Sequence, residues 1–418
     1  KGTKELIKTM EELKKKIYIG SICCGMGGFD TGLRNIGFET AWAIDIMPEA
    51  VESFKMNHPE ANVYCKDAHA IEDFTKLSDK ETTGICFGPP CQGFSRANVK
   101  RSMKDERNYV YLATLKAVNQ INPEFFIFEN VVGLLDMKFD NGLSVFEKIK
   151  KDYENCGKGY KVSHNVIDCS EVGVPQLNRF RLIMVGVRSD LNYEYEFAPL
   201  THGQGRLPLK TLKDTIWHLK DINQTGDYYD GPYDWKFLSR KRQKSWNEPS
   251  YTIEASARYA KIHPGYGKMR WVRENKWEID KECRRLSVLE SKLIQTFPED
   301  YIVCGNLEKK YEQVGNAVPP LLAEYIGKPL VAFYNAKEEY SKEIIWLNKK
   351  LAKSQNNGLY EGLLAWLNSG RGLTRQQREL CSYLIRFNEK LKGGNYDKRK
   401  NESFVDKCPD SSTGTNGI

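Results

Sequence analysis

Short apolar runs alternate with amphipathic stretches through the first half of the chain. The apolar runs predict strands, and the intervening 3.6-residue periodicity predicts helices. Strands are expected at 17–22, 40–46, 63–65, 84–87, 125–129 and 181–187, and helices at 30–36 and 48–57. Strands that alternate with helices are typical of an α/β protein with a doubly wound parallel sheet.

The pattern changes after residue 189. Residues 190–305 are rich in Gly, Pro, Tyr and Trp and contain short β-like pieces such as 251–254, which predicts a smaller, mostly β or irregular domain after a first domain at 1–189. Helical periodicity predicts helices at 4–16, 321–334, 336–353, 359–367 and 374–391. We therefore expect a helical extension over 336–392. The polar composition of 393–418 predicts a disordered tail.

The basic residues are concentrated in one segment. The chain carries a net charge of +8, and residues 236–285 contain 14 Lys and Arg against 6 Asp and Glu, a surplus of 8. Six aromatic residues are interleaved with these charges: Trp246, Tyr251, Tyr259, Tyr266, Trp271 and Trp277. Basic and aromatic residues together favour a nucleic-acid surface. A solvated charged face is the alternative.

Composition also restricts the class of protein. No run of about 18 apolar residues is present, so no membrane span is expected. The 11 cysteines show neither C-x-x-C pairs nor zinc-ligand spacing, which predicts free thiols and no metal site. With no signal-peptide pattern at Lys1, a cytoplasmic location is expected.

One cysteine stands in a setting suited to a nucleophile. The stretch 88–95 (GPPCQGFS) follows a short apolar strand, and its two prolines predict a rigid turn with Cys91 at its exit. A thiolate attacks electron-poor carbon well. A lone cysteine is more often an ordinary buried residue, but the other motifs favour the nucleophile.

A glycine-rich turn follows the first strand. Its sequence, Gly25-Met26-Gly27-Gly28, permits a tight turn and close backbone approach to a ligand. Asp45 ends the next strand, where a carboxylate can accept from two ribose hydroxyls, and Asp67 follows the third strand, where it can accept from an adenine amino group. Taken alone, each aspartate is better explained as a turn or cap residue.

Six sequence blocks in a fixed order resemble those of the cytosine-5 DNA methyltransferases. They span about 17–335 and consist of 21–29 (SICCGMGGF), 89–92 (PPCQ), 128–131 (FENV), 174–176 (VPQ) with Arg179 and Arg181, 285–287 (RLS) with 295–298 (QTFP), and 315–320 (GNAVPP). The resemblance implies a Rossmann-like, S-adenosylmethionine-dependent methyltransferase sheet. It also implies that residues 306–335 return to the first domain and that 190–305 recognise the target.

The resemblance implies a role for each matching residue. Cys91 is expected to attack cytosine C6, Glu129 to hold the base at N3 and its amino group, and Arg179 and Arg181 to bond the base carbonyl or orient the other two. Both arginines point the same way if 179–187 is extended. The S-adenosylmethionine ligands are expected among Cys24, Gly25, Gly27, Gly28, Asp45, Ile46, Asp67, Ala68, Pro89, Asn316 and Ala317.

Three positions depart from the family pattern. Cys23 stands where an aromatic residue normally stacks on adenine, and Ser21 stands where the family has Asp. The segment that begins at Gln176 holds one residue more than the usual Gln-x-Arg-x-Arg. Loss of a stacking ring costs about 1 kcal/mol. We therefore expect weakened but real cofactor binding.

A base within a duplex must be flipped out to reach such a site. The basic stretch 92–108 is expected to form a mobile loop that closes over DNA. DNA contacts are expected from Gln92, Ser95, Arg96, Arg240, Arg242, Arg258, Lys261 and Arg285. Segment 238–264 resembles the recognition segment of bacterial enzymes that modify GGCC-like sites, which implies a double-stranded DNA substrate and a partner restriction endonuclease.

Other functions explain less of the sequence. A tRNA cytosine-5 methyltransferase would carry a Cys-Phe-Thr signature, which the chain lacks. A non-catalytic DNA-binding relative is supported only by Ser21 and Cys23. A dehydrogenase accounts for the glycine turn and for none of the later blocks. The sequence does not indicate the oligomeric state, and a monomer is the simplest expectation.

Overall fold

The computed structural model describes residues 16–89, 110–139, 141–220 and 228–353, with side chains described as far as 336. The predicted helices at 4–16, 359–367 and 374–391, the basic loop at 92–108 and the tail at 393–418 lie outside the described residues, apart from Lys16.

A seven-stranded sheet forms the centre of the molecule. Its strands, in chain order, are β1 (Ile17–Ile22), β2 (Phe38–Asp45), β3 (Asn62–Cys65), β4 (Thr82–Phe87), β5 (Phe125–Val131), β6 (Tyr160–Asp168) and β8 (Phe180–Arg188). The spatial order is β3-β2-β1-β4-β5-β8-β6. The expected α/β class is confirmed, and strand β1 has the predicted bounds of 17–22.

The sheet is not wholly parallel. Strands β1 to β5 pair in parallel, whereas β8 is antiparallel to both β5 and β6. A parallel pair needs a crossover of a dozen or more residues, usually a helix. Residues 169–179 between β6 and β8 are too few for one, so the chain reverses direction there.

Four helices accompany the sheet strands along the chain. They are α1 (Gly28–Asn35), α2 (Pro48–Asn57), α3 (Val110–Ile121) and α4 (Val145–Glu154). Helix α2 has the predicted bounds because Pro48 occupies its first turn, where proline's missing N–H costs nothing. Helix α1 begins two residues before its predicted start, directly at Gly28.

Aromatic side chains fill the core beside β4 and β5. The rings of Phe126 and Tyr153 lie 4.6 Å apart, and those of Phe87 and Phe126 lie 5.9 Å apart. Phe87, Phe126 and Tyr153 are all buried. This packing anchors β4 and β5 to the core, and the candidate site lies at their carboxyl ends.

Regular structure is sparse between β8 and residue 305, as the sequence predicted. The elements beyond the central sheet are β7 (Gln176–Leu177), α5 (Leu212–Ile216), α6 (Trp235–Leu238), β9 (Ser250–Tyr251), β10 (Met269–Arg273), β11 (Lys276–Ile279), α7 (Val288–Ile294) and α8 (Leu307–Asn316). Strand β9 is shorter than the predicted 251–254 and pairs in parallel with β7.

One long helix, α9 (Pro320–Lys353), ends the described chain. The sequence predicted two helices with a break at 335, but the segment 334–337 (YNAK) holds neither Gly nor Pro and the helix continues through it. The chain divides into two compact units, Lys1–Ala332 and Phe333–Ile418. None of the described helices is long and apolar enough to cross a membrane.

Candidate active site

The order of the sheet strands reverses between β1 and β4. Strand β1 pairs with β2 on one side and with β4 on the other, and all three are parallel, so their carboxyl ends lie at the same edge. Ligands of open α/β sheets bind in the crevice at such a reversal. The glycine turn follows β1 there, and Gly88 and Pro89 follow β4.

The glycine turn is held by the end of the neighbouring strand. The Gly25 amide donates to Asp45 Oδ2 at 2.7 Å. Gly27 has a φ of 93° and precedes the first residue of α1, a conformation that favours glycine. Gly28 is needed for a different reason, because a Cβ there would lie 2.1 Å from the carbonyl oxygen of Val318. The turn is therefore clamped between β2 and the segment before α9.

Asp45 and Asp67 both make local hydrogen bonds. The second oxygen of Asp45 accepts from the Met47 amide at 2.9 Å, and burial raises the carboxyl pKa while these amides oppose the rise. Asp67 is exposed, and its Oδ1 accepts from the His69 amide at 2.9 Å. Each carboxylate oxygen has a further lone pair. Each carboxylate therefore keeps acceptor capacity for its predicted ribose or adenine contact.

The other predicted cofactor residues surround the same edge. Ile46 is 69% exposed, which is unusual for a large apolar side chain. A Cβ on Gly25 would meet no atom of the described residues within 4 Å. The Cys24 amide donates to Ile44 O at 3.1 Å, while Ala68 and Pro89 are buried.

Cys23 has an unusual backbone conformation for its type. Its φ is 54°, in the left-handed region, and its side chain packs against the edge of the main core cluster. Burial raises the pKa of its thiol, and the Asp45 and Asp67 charges add to the rise. The Cys23 thiol is therefore neutral and has the character of a small apolar group.

Glu129 and Arg181 form an ion pair across two strands. Glu129 lies on β5 and Arg181 on the antiparallel β8, and Arg181 Nε lies 2.7 Å from Glu129 Oε1. Their side chains are only 12% and 14% exposed. Burial raises the pKa of Glu129, whereas the charges of Arg181 and Arg179 lower it.

This pair lies beside the start of the segment that leads to Cys91. A Cβ on Gly88 would be 3.1 Å from Glu129 Oε2. Asn130, the next residue of β5, donates from Nδ2 to the Pro89 carbonyl at 3.4 Å. Cys91, Gln92, Ser95 and Arg96 lie outside the described residues. The Glu129 carboxyl thus lies beside Gly88, which precedes the predicted nucleophile by three positions in the sequence.

Arg179 is used differently from Arg181. Strand β8 begins only at Phe180, and Asn178 has a φ of 60°, so the extended strand that would align the two arginines does not include Arg179. The buried Arg179 guanidinium donates to the carbonyls of Ile253, Gly315 and Ala317 at 3.2, 3.0 and 2.8 Å. It therefore joins the start of β8 to two distant segments, one at Ile253 and one at 315–317, which holds the predicted cofactor residues Ala317 and the exposed Asn316.

The predicted DNA-binding residues separate into exposed and buried sets. Arg240 and Arg258 are exposed, and Arg258 lies 2.7 Å from Asp234 in an ion pair. Arg242 and Lys261 are buried, and both pair with the carboxylate of Glu254. Of the predicted contacts that the structure describes, Arg240 and Arg258 therefore have side chains that face solvent.

Arg285 differs most from its predicted DNA contact. It is fully buried and donates to the carbonyls of Arg258, Tyr229, Gly231 and Pro232. Its guanidinium also lies 4.2 Å from the centre of the Tyr233 ring. With its donors directed inward, Arg285 stabilises the segments at 229–232 and Arg258 and does not face solvent.

Three residues behind the glycine turn were not predicted. The Tyr301 hydroxyl donates to the Met26 carbonyl, and the Thr31 hydroxyl donates to the Gly27 carbonyl at 2.7 Å. His58 Nε2 lies 3.2 Å from the Thr31 hydroxyl and 3.4 Å from that of Tyr301. Burial lowers the pKa of His58 to about 3, so it is neutral. No local motif marks these residues, because they meet only in the folded chain.

Comparison with known proteins identifies the family. Residues 17–332 match the family model described as C-5 cytosine-specific DNA methylase. The chain is 35% identical over 362 residues to the Type II methyltransferase M.BspRI of Lysinibacillus sphaericus, with 76% of this chain and 82% of that protein covered. It is 34% identical over 370 residues to M.BsuRI of Bacillus subtilis, with 78% and 82% covered.

Solved structures share the fold at lower identity. A prophage-encoded DNA modification methyltransferase from E. coli superposes with a TM-score of 0.57 at 19% identity, covering 77% of this chain and 100% of that one. DNMT2 of Spodoptera frugiperda superposes with a TM-score of 0.52 at 19% identity, covering 75% and 99%. The family match covers most of the chain, and the chain belongs to the C-5 cytosine-specific DNA methylases as a DNA (cytosine-5) methyltransferase.

Proposed function

We propose that this enzyme transfers a methyl group from S-adenosylmethionine to C5 of a flipped-out cytosine in a short duplex site, through a covalent adduct between Cys91 and C6. The observation that carries the proposal is the largely buried Glu129–Arg181 pair, which lies against Gly88 at the start of the Cys91 segment.

The residues around the glycine turn suit this cofactor. The exposed Ile46 offers an apolar surface for a nucleoside, and the carboxylates of Asp45 and Asp67 offer two hydrogen-bond acceptors. Among the described residues, the space beside Gly25 is open. Ile46 would pack on the purine in place of the aromatic residue that Cys23 replaces. Bound here, the cofactor supplies an electrophilic methyl group.

The protein's own chemistry begins at cytosine C6. Addition of the Cys91 thiolate there breaks the aromaticity of the ring and makes C5 enamine-like. Once C5 is methylated, loss of its proton to a base expels the thiolate from C6 and restores the ring, so one difficult step is divided into easier ones. Negative charge then develops on the ring, and Glu129 would stabilise it by donating a hydrogen bond at N3. The burial that raises the pKa of Glu129 favours its protonated, donating form.

Arg181 would position Glu129 in this reaction. Its Nε already lies 2.7 Å from one carboxyl oxygen, which leaves the other free to face the base. Arg179 donates to three carbonyls and would act indirectly, by holding in place the segments around the site.

The substrate would be duplex DNA protected from a partner restriction endonuclease, consistent with the Type II methyltransferases that the chain resembles. Exposed Arg240 and Arg258 would contact the DNA, and the segment 238–264 suggests a GGCC-like target. An enzyme that modifies chromosomal DNA of a bacterial cell would act in the cytoplasm, and we propose that location.

Methylcytosine sequencing tests the activity directly. Unmethylated plasmid DNA is incubated with the purified protein and S-adenosylmethionine, and methylation confined to one short context is expected. Methylation at GGCC would support the proposed target, and another context would replace it. A blank plasmid result together with methylation of RNA would overturn the proposal for DNA.

A trapping experiment tests the adduct. Fluorine at C5 of the target cytosine cannot leave as the C5 proton does, so a covalent protein–DNA complex should accumulate and survive denaturation. Cys91→Ser should abolish the complex and turnover, whereas Cys65→Ser, at an exposed thiol, should retain both. Trapping by Cys91→Ser would disprove the assigned nucleophile.

A further inference from the structure

Strands β10 and β11 form a two-stranded ribbon whose apolar face is buried at one end only. Met269 is buried in the cluster that contains Phe237 and Cys283, and Ile279, its partner across the ribbon, packs against the same cluster. Trp271 lies two register positions further out, the next position on the same face, and is 65% exposed. The apolar face therefore continues beyond the core into solvent.

Trp271 stays exposed although its cross-strand partner packs against the core. It pairs in register with Trp277, and cross-strand aromatic pairs normally stabilise a ribbon by ring contact. Among the described residues, however, no ring contact of Trp271 is found. A bulge follows Trp271, which leaves Val272 partly exposed beside it. The exposed ring is thus presented outward.

Two positive charges face each other at the end of the ribbon. Arg273 and Lys276 are in register on either side of the turn at Glu274 and Asn275, and both are exposed. Like charges directly opposite across strands destabilise the pairing. Neither has an ion-pair partner within the described part of the chain, whereas the nearby Arg270 lies 3.1 Å from Asp280. A bound anion would remove this repulsion.

We propose that the β10–β11 ribbon enters a groove of the duplex substrate, with Trp271 packed on bases or sugars and Arg273 and Lys276 sharing the adjoining phosphates. The major groove of B-DNA admits a two-stranded ribbon, and phosphate contacts position a protein on the duplex. This proposal rests on the proposed function, because it names the part of the enzyme that holds the same DNA.

The two contributions can be measured separately. The probe is a short fluorescein-labelled duplex carrying the context found by methylcytosine sequencing, titrated at several salt concentrations. Trp271→Ala should weaken binding about tenfold and leave the salt dependence unchanged, while Trp271→Phe should retain most of the affinity. Arg273→Ser with Lys276→Ser should reduce the slope of log Kd against log salt by about one to two.

Matched controls lie on the central sheet and its helices. Lys151→Ser with Lys161→Ser removes two exposed charges from α4 and β6 and should leave affinity and slope at wild-type values. Melting temperatures should stay at the wild-type value for Trp271→Ala. For the Arg273 and Lys276 variant they should not fall, since a repulsion is removed.

Three results would overturn the ribbon's role. The first is wild-type affinity and slope for both ribbon variants in an enzyme that methylates plasmid DNA, which would leave the proposed function intact. The second is a wild type that sediments as a dimer and a Trp271→Ala variant that sediments as a monomer with unchanged DNA affinity, which would assign the ribbon to self-association. Failure of the wild type to bind or methylate duplex DNA would overturn the proposed function as well.

Discussion

At the scale of single residues, Glu129 shows burial and charge acting in opposite directions on one carboxyl group. Burial raises its pKa, and the nearby Arg181 and Arg179 guanidinium groups lower it. A carboxyl group in this balance can donate or accept a proton with a small change in its surroundings. The approach of a base that excludes water would favour the protonated form further.

Glu129→Gln should reduce turnover about 10²-fold to 10³-fold, because the amide cannot supply the carboxyl proton as charge develops on the ring. DNA affinity should stay within a few-fold of wild type, since the shape is kept. Methyl transfer from labelled S-adenosylmethionine measures the loss. Glu171→Gln, in a partly exposed residue 3.7 Å from Arg206, is the control and should be active. Full activity of Glu129→Gln would remove Glu129 from the mechanism.

Asp30 is a second buried carboxyl group, with no cation within hydrogen-bonding distance among its described partners. Ser21 Oγ donates to its Oδ2 at 3.0 Å, and Thr40 Oγ1 donates to its Oδ1 at 2.8 Å. Burial raises its pKa to about 6 from an ordinary value of 3.8, although both hydroxyls oppose the rise. The serine at position 21, unusual for the family, thus faces a carboxyl group supplied by α1.

Asp30 should make the folded protein less stable as the pH rises from about 4 to about 6. In that window the folded state keeps the proton that the unfolded state has released, so stability is greatest below it. Asp30→Asn should flatten this part of the profile, by on the order of 3 kcal/mol at most. Melting temperatures of both proteins from pH 4 to pH 8 measure the difference. Parallel profiles would show that Asp30 does not titrate there.

At the scale of secondary-structure elements, buried arginines hold together segments that have little regular structure. Arg285 donates to carbonyls over 229–232 and to Arg258, and Arg179 joins Ile253 to the end of α8. Strands β10 and β11 and helix α6 supply few backbone hydrogen bonds of their own. Guanidinium groups, with five donors each, replace part of that missing framework.

Arg285→Met should lower the free energy of unfolding by about 3 kcal/mol or more, because several buried carbonyls lose their donor together. Arg240→Ala, at an exposed arginine, should weaken DNA binding without a change in melting temperature. Thermal unfolding and duplex titration of both variants separate the two roles. If Arg285→Met melted like wild type and bound DNA tenfold more weakly, the sequence-based DNA contact would be right.

The elements that follow from local sequence were predicted well. Strand β1 and helix α2 have their predicted bounds because an apolar run and an N-terminal proline define them locally. The direction of β8 was not predictable in this way, because periodicity gives a strand but not the neighbour beside which it lies. The same limit applies to Arg179 and Arg285, whose partners are remote in sequence.

At the scale of the whole molecule, the glycine turn depends on residues from the far end of the first compact unit. Tyr301 donates to the Met26 carbonyl, 275 positions away in sequence, and Gly28 lies against Val318. These contacts fix the turn from behind, while Asp45 holds it from the side of β2. The turn is therefore shaped by tertiary contacts as much as by its glycines.

Tyr301→Phe should weaken S-adenosylmethionine binding about three-fold to tenfold, because one hydrogen bond to the turn is lost and its carbonyl stays buried. Calorimetric titration of the cofactor measures this, and the affinity for DNA should be unchanged. Tyr325→Phe, which removes a hydroxyl donating to Ala198 O at 2.5 Å, should leave cofactor binding at the wild-type value. Equal cofactor affinity for wild type and Tyr301→Phe would show that the turn holds its shape without this bond.

The sequence by itself determined the α/β class, the cytosine-5 methyltransferase family and the identity of Glu129 and Cys91 as candidate reacting groups. These depend on local patterns and on motifs in a fixed order. The tertiary structure alone decided that Arg181 pairs with Glu129 while Arg179 and Arg285 hold buried carbonyls, and that Trp271 remains exposed. The physical reason is that an arginine or a tryptophan has the same propensities in either role, and only its three-dimensional neighbours fix whether it faces solvent or the core.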